Sequence, residues 1–389
     1  MAALYVTATA TSCYCSSSRF SFSLLFHVPE LRPFAFNSRK RTTSLRCALS
    51  QDAKKALKDH DTVEIDSNNN NSIIHGLLLK ETDQKGPMVD DDKSSETWSQ
   101  FAKRVSGEWD GFGADFSNEG KPIELPESVV PEAYREWEVK VFDWQTQCPT
   151  LAQPEDRILE YKTIQLLPTV GCEADAATRY SIGERKIGGD DSGVTAFAYQ
   201  SSGSYVAVWQ KNDNLLELEY CLISPQDFES RVRIIQQINV IDNTKLVLQS
   251  IKVFREQWYG PFRNGEQLGG CAIRDSAFAS TAPLIASEVS GVWHGSKAVA
   301  AFGTENSEIF QQLIDDKMQN TVRDGDDNIL LLPKKLWTSL NQGKDGETLS
   351  EVGWLLDHGQ AITASCLFST SAKLKEISIA LVTKAVEDV

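Results

Sequence analysis

The sequence contains no run of about 18 apolar residues, so nothing in it would cross a bilayer as a helix. Its eight cysteines include no Cys-x-x-Cys pair, which removes the usual local signature of a zinc or dithiol site. Histidine is scarce, at five in 389 residues, and only His294 and His358 fall where the chain has ordered patterning. A metal centre would gather more His, Cys or carboxylate at close spacing. There is no Gly-x-Ser-x-Gly elbow and no phosphate-binding loop. Gly111-Phe112-Gly113 is a fragment of a dinucleotide fingerprint that lacks the third glycine. Basic charge is also short, 39 Lys and Arg against 54 Asp and Glu, a net −15. That balance counts against nucleic acid and anionic lipid as partners, since phosphate must be met by clustered cations. Pairs such as Glu256 with Asp275, or Asp315 with Asp316, arise freely in so acidic a chain and read as solvated charge. No catalytic residue, cofactor or metal is expected.

What is present is unevenly spread. Residues 1–47 hold six basic residues against one acid, with Ser- and Thr-rich sequence such as Cys15-Ser16-Ser17-Ser18. This is the composition of an organelle transit peptide, and Leu45-Arg46-Cys47 before Ala48 resembles a stromal processing site. A chloroplast stromal address is expected, with the mitochondrion as the alternative. Removing this leader leaves 33 basic against 53 acidic residues in 48–389, or −20. Residues 48–95, with the run Asn68 to Asn71 and the cluster Asp90 to Asp92, read as a disordered acidic linker.

From residue 96 onward the pattern changes. Trp98, Phe101 and Val105 share one helical face, with Ser95 as a candidate cap. Strand patterns follow: Trp137, Val139 and Val141; Ile158 to Leu167; Val194 to Gln200 and Tyr205 to Gln210 around Ser201–Ser204; Leu216 to Leu222; Arg231 to Ile241 and Lys245 to Phe254. A meander of this kind removes its exposed edges by curling into a barrel. Farther on, Trp293 to Phe302, Asn328 to Leu332, a hairpin around His358-Gly359-Gln360 and Ile377 to Leu381 read as strands, and Glu305 to Gln319 as an amphipathic helix.

One motif occurs twice. Val105-Ser-Gly107-Glu-Trp109-Asp-Gly111 returns 184 residues later as Val289-Ser-Gly291-Val-Trp293-His-Gly295. Each copy opens a strand series, so an all-β fold of two antiparallel barrels in tandem is expected, at 96–283 and 284–389. Gly107, Trp109, Gly291 and Trp293 are read as plugs at the barrel ends: a large indole to bury, and a glycine that lets the backbone pass close to it. His294 stands where Asp110 stood, which reads as a surface or strand-edge position.

Gly-x-Trp after a short helix resembles the first-strand motif of lipocalins and other calycins. With the leader, the acidic spacer and the series Arg231 to Gly260, the chain also resembles a plant and cyanobacterial two-barrel, calycin-like family. That family includes the chloroplast biogenesis factor required for ATP synthase 1. The resemblance implies a non-enzymatic stromal assembly factor that binds subunits of the catalytic head of the chloroplast ATP synthase. A lipocalin-like carrier of a small hydrophobic ligand or pigment, or a chromophore lyase, is the alternative. Candidate anion or partner contacts are Arg231, Arg233, Lys252 and Arg255, with Trp258 and Tyr259 as an aromatic turn. The competing reading of the arginines is cross-strand pairing with Glu217 and Glu219.

Overall fold

The computed structural model describes residues 91–168, 179–189, 193–266, 277–303, 308–323 and 328–385. The expected leader, 1–47, and nearly all of the expected linker, 48–95, lie outside this range. A helix, α1 (Asp91–Val105), begins inside the expected linker, so Ser95 lies within it. Ten strands follow: β1 (Glu108–Ser117), β2 (Asp143–Gln147), β3 (Thr150–Gln153), β4 (Ile158–Leu166), β5 (Arg179–Ile187), β6 (Val194–Tyr199), β7 (Tyr205–Asn212), β8 (Leu215–Ile223), β9 (Ser230–Ile241) and β10 (Lys245–Gly260). A short helix α2 (Glu132–Glu136) interrupts them, and α3 (Ala286–Val289) precedes the second series. That series is β11 (Gly291–Ala301), β12 (Phe310–Gln312), β13 (Ile314–Arg323), β14 (Ile329–Leu332), β15 (Leu336–Gln342), β16 (Thr348–Leu355), β17 (Gln360–Phe368) and β18 (Leu374–Lys384).

Two sheets result. The first has 11 strands in the order β12-β6-β7-β8-β9-β10-β1-β2-β4-β3, with β5 on β4; the second has seven, β13-β11-β18-β17-β16-β15-β14. The class is all-β, as the alternation predicts. The sheets curl without closing: among the described residues no backbone ladder joins the two ends of either one. In the first, one apolar cluster nevertheless gathers Leu159 and Tyr161 of β4, Ile187 of β5, Phe197 and Tyr199 of β6 and Trp209 of β7, with Trp98 and Phe101 of α1 as its lid. The ends of the sheet therefore face one another across a common core.

The largest core lies between the sheets. Val206, Leu218, Ile234 and Val253 of the first sheet pack with Ala298, Val352, Ile362, Ile377 and Ile379 of the second. A polar seam crosses it: the Tyr220 and Ser350 hydroxyls are 2.6 Å apart, Ser350 donates to Gln236, and Gln236 donates to Thr338. The boundary expected at 283/284 does not divide the sheets cleanly: β12 lies beyond it yet joins the first sheet, and the two sheets share a core within one compact unit.

Two sequence expectations fail locally. Trp137, Val139 and Val141 are not in a strand: α2 ends before them, Glu138 turns at φ 55°, and Trp137 is 62% exposed. Residues 305–319 are not a helix over their described part. The backbone N–H of Phe197 donates to Ile309 and that of Leu313 to Tyr199, so pairing with β6 takes this segment as strand. Long-range ladder bonds override a helical period.

Candidate functional site

The two Val-Ser-Gly-x-Trp-x-Gly copies build the same object. Val105 ends α1 and Val289 ends α3; the carbonyl of each accepts from the indole Nε1–H four residues onward, that of Trp109 (2.9 Å) or Trp293 (2.7 Å). Gly107 and Gly291 sit at φ 143° and 119°, a backbone region that side chains disfavour. A Cβ at Gly111 would overlap the carbonyl oxygen of Arg255, and one at Gly295 that of Leu381. Both final glycines are thus required by the neighbouring strand. A cation covers each indole: the Arg231 guanidinium lies 4.3 Å from the Trp109 ring, and that of Arg323 lies 5.6 Å from the Trp293 ring.

Beneath Trp109 the curled sheet is filled by charge. Arg231 donates Nε to Glu256 at 2.7 Å and Nη1 to the Thr150 hydroxyl at 3.1 Å. Arg233 forks onto the same Glu256 (Nη2 2.8 Å, Nε 3.1 Å) and reaches Glu219 at 3.5 Å. The pairing follows from register, because Glu256 on β10 lies opposite Arg231 on β9. Both arginines are 1% exposed. Glu219 also accepts from the Tyr205 hydroxyl at 3.0 Å, from Tyr161 and from Arg185 at 2.9 Å, while Arg185 bonds Glu217 as well. Arg185 is on β5 and both glutamates are on β8, so this fork ties together the two sides of the curl where no ladder does. The second sheet repeats the device: Arg323 on its edge strand β13 forks onto Glu351 of β16 at 2.8 and 2.9 Å.

The electrostatics are those of a sealed ion-pair cluster. Burial alone would raise the carboxyls of Glu219 and Glu256, but their arginines outweigh it and hold both below the ordinary value. Burial pushes the Tyr161 and Tyr205 hydroxyls well above 10, so they stay neutral donors. The Cys221 thiol is pushed up to about 12 by burial, and Cys148 is raised likewise. Three guanidinium groups meet three carboxylates, all with their counterions in place. The cluster is built to stay ionised.

The expected cationic rim does not assemble. Lys252 lies toward solvent, 3.6 Å from Asp115, and Arg255 points the other way, donating Nη1 to the Lys334 carbonyl at 3.1 Å. Strand alternation separates Arg255 from its neighbour Glu256, the residue that takes both arginines. Glu219 pairs with Arg233, while Glu217 pairs with Arg185 instead. Trp258 is half-buried, its Nε1 donating to the Ser106 carbonyl at 3.3 Å, and Tyr259 is exposed. Asp110 is buried, unlike the exposed His294 of the second copy, so the two are not equivalent surface positions. Asp275, Cys172 and Cys271 fall outside the described residues.

Among the described residues no three His, Cys, Asp or Glu are gathered as metal ligands would be, and no helix is long and apolar enough to cross a membrane. Two clefts open at the seam between the sheets. One, of about 300 Å³, is lined by Val208, Leu216, Phe302 and Leu374 together with Gln210, Glu308 and Lys373; the other, of about 330 Å³, by Arg255, Lys334, Lys335, Trp354 and Asp357 among others. No family model matches the sequence. No curated protein matches it either. Among solved structures the chain is similar to a protein of unknown function of the DUF3598 family from Nostoc punctiforme PCC 73102, at 12% identity over 74% of this chain and 99% of that one, with a TM-score of 0.43. It is also similar to the S-type phycobiliprotein lyase of Guillardia theta, at 11% identity over 44% of this chain and 98% of that one, with a TM-score of 0.26.

Proposed function

We propose that this protein is a non-enzymatic assembly factor of the chloroplast stroma that binds other proteins through its outer surface. The supporting observation is the interior of the first sheet. A carrier of this fold would hold its guest where Arg231, Arg233, Glu219, Glu256, Tyr161 and Tyr205 already fill the space and pair with one another, only Arg231 Nη2 of the two guanidinium groups being left without a partner. Opening that space would strand buried charge, at about 3–5 kcal/mol for each broken pair. Recognition then falls to the outside of a chain that carries −20 beyond its leader. The sequence resemblance supplies the partner: subunits of the catalytic head of the ATP synthase.

The test is binding of residues 48–389 to the purified α, β and γ subunits, separately and assembled, at 0.15 M salt. Binding to at least one isolated subunit is expected, weakening as salt rises. No binding to any of them, together with normal ATP-synthase levels in plants lacking the protein, would overturn the proposal. The carrier reading is favoured by one feature, the 300 Å³ cleft of mixed polar and apolar lining at the seam, a size at the lower limit for small-molecule sites. A chromophore or lipid co-purifying from plastids in equal molar amount would favour it instead.

A further inference from the structure

The chain from 310 to 323 borders both sheets. As β12 it pairs with β6 at the edge of the first, and as β13 with β11 at the edge of the second. An open edge invites another strand, and proteins usually guard it with charge, proline or a bulge. The first half of β13 is guarded: Asp315 and Asp316 are exposed, and the register shifts between Ser296 and Ala298. From Met318 to Val322 there is no charge, no proline and no shift.

The face beside this stretch is uncovered and apolar at its two ends, with the hydrogen-bonded pair Asn320 and His294 between them. Met318 is 71% exposed and Val322 60%. Val292 lies opposite Val322, and Leu381 lies beyond Ser296 from Met318, so the four share one face, at 38% and 43% exposure for the latter pair. Ala298, Ala300, Ile377 and Ile379 carry the same face onward into the core between the sheets. The first sheet therefore covers only part of what the second presents.

We propose that β13 receives an extended segment of a partner protein as an added strand, one in which apolar residues alternate with Lys or Arg. The deepening rests on the protein-binding reading above. Main-chain bonds along 318–322 supply affinity, and the apolar ledge selects every second side chain. Charge chooses the occupant. Asp315 and Asp316 stand at the head of the strand in a chain of net −15, which favours a basic segment and sets two copies of this chain against each other.

The probe is an eight-residue peptide of alternating Lys and Val, with an alternating Glu and Val peptide as control, against the full chain. Amide exchange over 318–322 is expected to slow with the Lys–Val peptide only. The double variant Met318→Lys/Val322→Lys, at two exposed positions and checked for an unchanged melt, is expected to lose at least tenfold in affinity. Unchanged exchange at saturation, equal slowing by the Glu–Val peptide, or undiminished binding by the double variant would overturn the proposal. Subunits of the ATP-synthase head separate the two ideas. Capture retained by the double variant sinks the edge proposal and leaves protein binding standing. Capture by neither form sinks the assembly reading, and the peptide result alone then judges the edge.

Discussion

Asp110 provides a sharp quantitative test of the packing around the first Gly-x-Trp. It is 3% exposed, neither carboxyl oxygen has a hydrogen bond of good geometry, and burial followed by repulsion from Glu108 raises its pKa from 3.8 to about 7, with Gln147 offsetting only part. Below pH 3.8 both folded and unfolded chains hold the proton, and the group is neutral to stability. Between 3.8 and 7 the unfolded chain has released it and the folded one has not, so stability falls as pH rises. The slope is about 1.4 kcal/mol per pH unit, and about 4 kcal/mol is lost once the pH exceeds 7. Asp110→Asn removes this dependence at nearly constant shape. Urea unfolding at pH 5, 6, 7 and 8 should show the wild type losing about 3 kcal/mol across that range that the variant keeps. Asp143, also raised to about 7 by burial but eased by the Ala279 and Phe278 backbone N–H groups, remains in both proteins as an internal reference slope. Parallel wild-type and variant curves would refute the reasoning, because Asp110 would then be solvated or paired.

Arg233→Met leaves Glu256 and Glu219 short of a counterion and should cost about 3–5 kcal/mol in chemical unfolding; a change below about 1 would mean that the cluster is solvated. The cost should be full above about pH 5 and shrink as the pH falls below it, because the arginines depress both glutamates and acid removes that contribution. Gly111→Ala should abolish folding or cost several kcal/mol, whereas Gly183→Ala, whose Cβ meets nothing, should be neutral or stabilise by up to about 1 kcal/mol. Native protein at pH 8 should leave Cys148, Cys221 and Cys366 unalkylated by iodoacetamide, read by mass spectrometry, since burial raises all three thiols.

The sequence carried the architecture where side chains alternate, against a half-buried sheet in β4 and β18, and between an apolar core and a buried ion-pair cluster in β8. It failed where pairing partners decide, as in β12 and β13, whose residues read as a helix until β6 and β11 claim their backbone. The repeat was legible because the indole, its glycines and the valine carbonyl are all local. The ion-pair cluster was half legible. Arg231 and Arg233 announced a shared face, and Glu219 was among the natural partners. Glu256 was hidden beside Arg255, since only the hairpin register tells which of two adjacent charges turns inward. Arg185 was invisible, because its partners lie three strands on in the chain and meet it only when the sheet curls.

The core between the sheets also constrains how the chain is made. Val253 must wait for Ile377 and Ile379, and Tyr220 for Ser350, separations of more than a hundred residues. At a synthesis rate of about 5–20 residues per second, the apolar side of β6 to β10 stays bare for roughly 6–25 seconds after it emerges. An apolar face left bare for that long is itself open to misassociation until the second sheet is made.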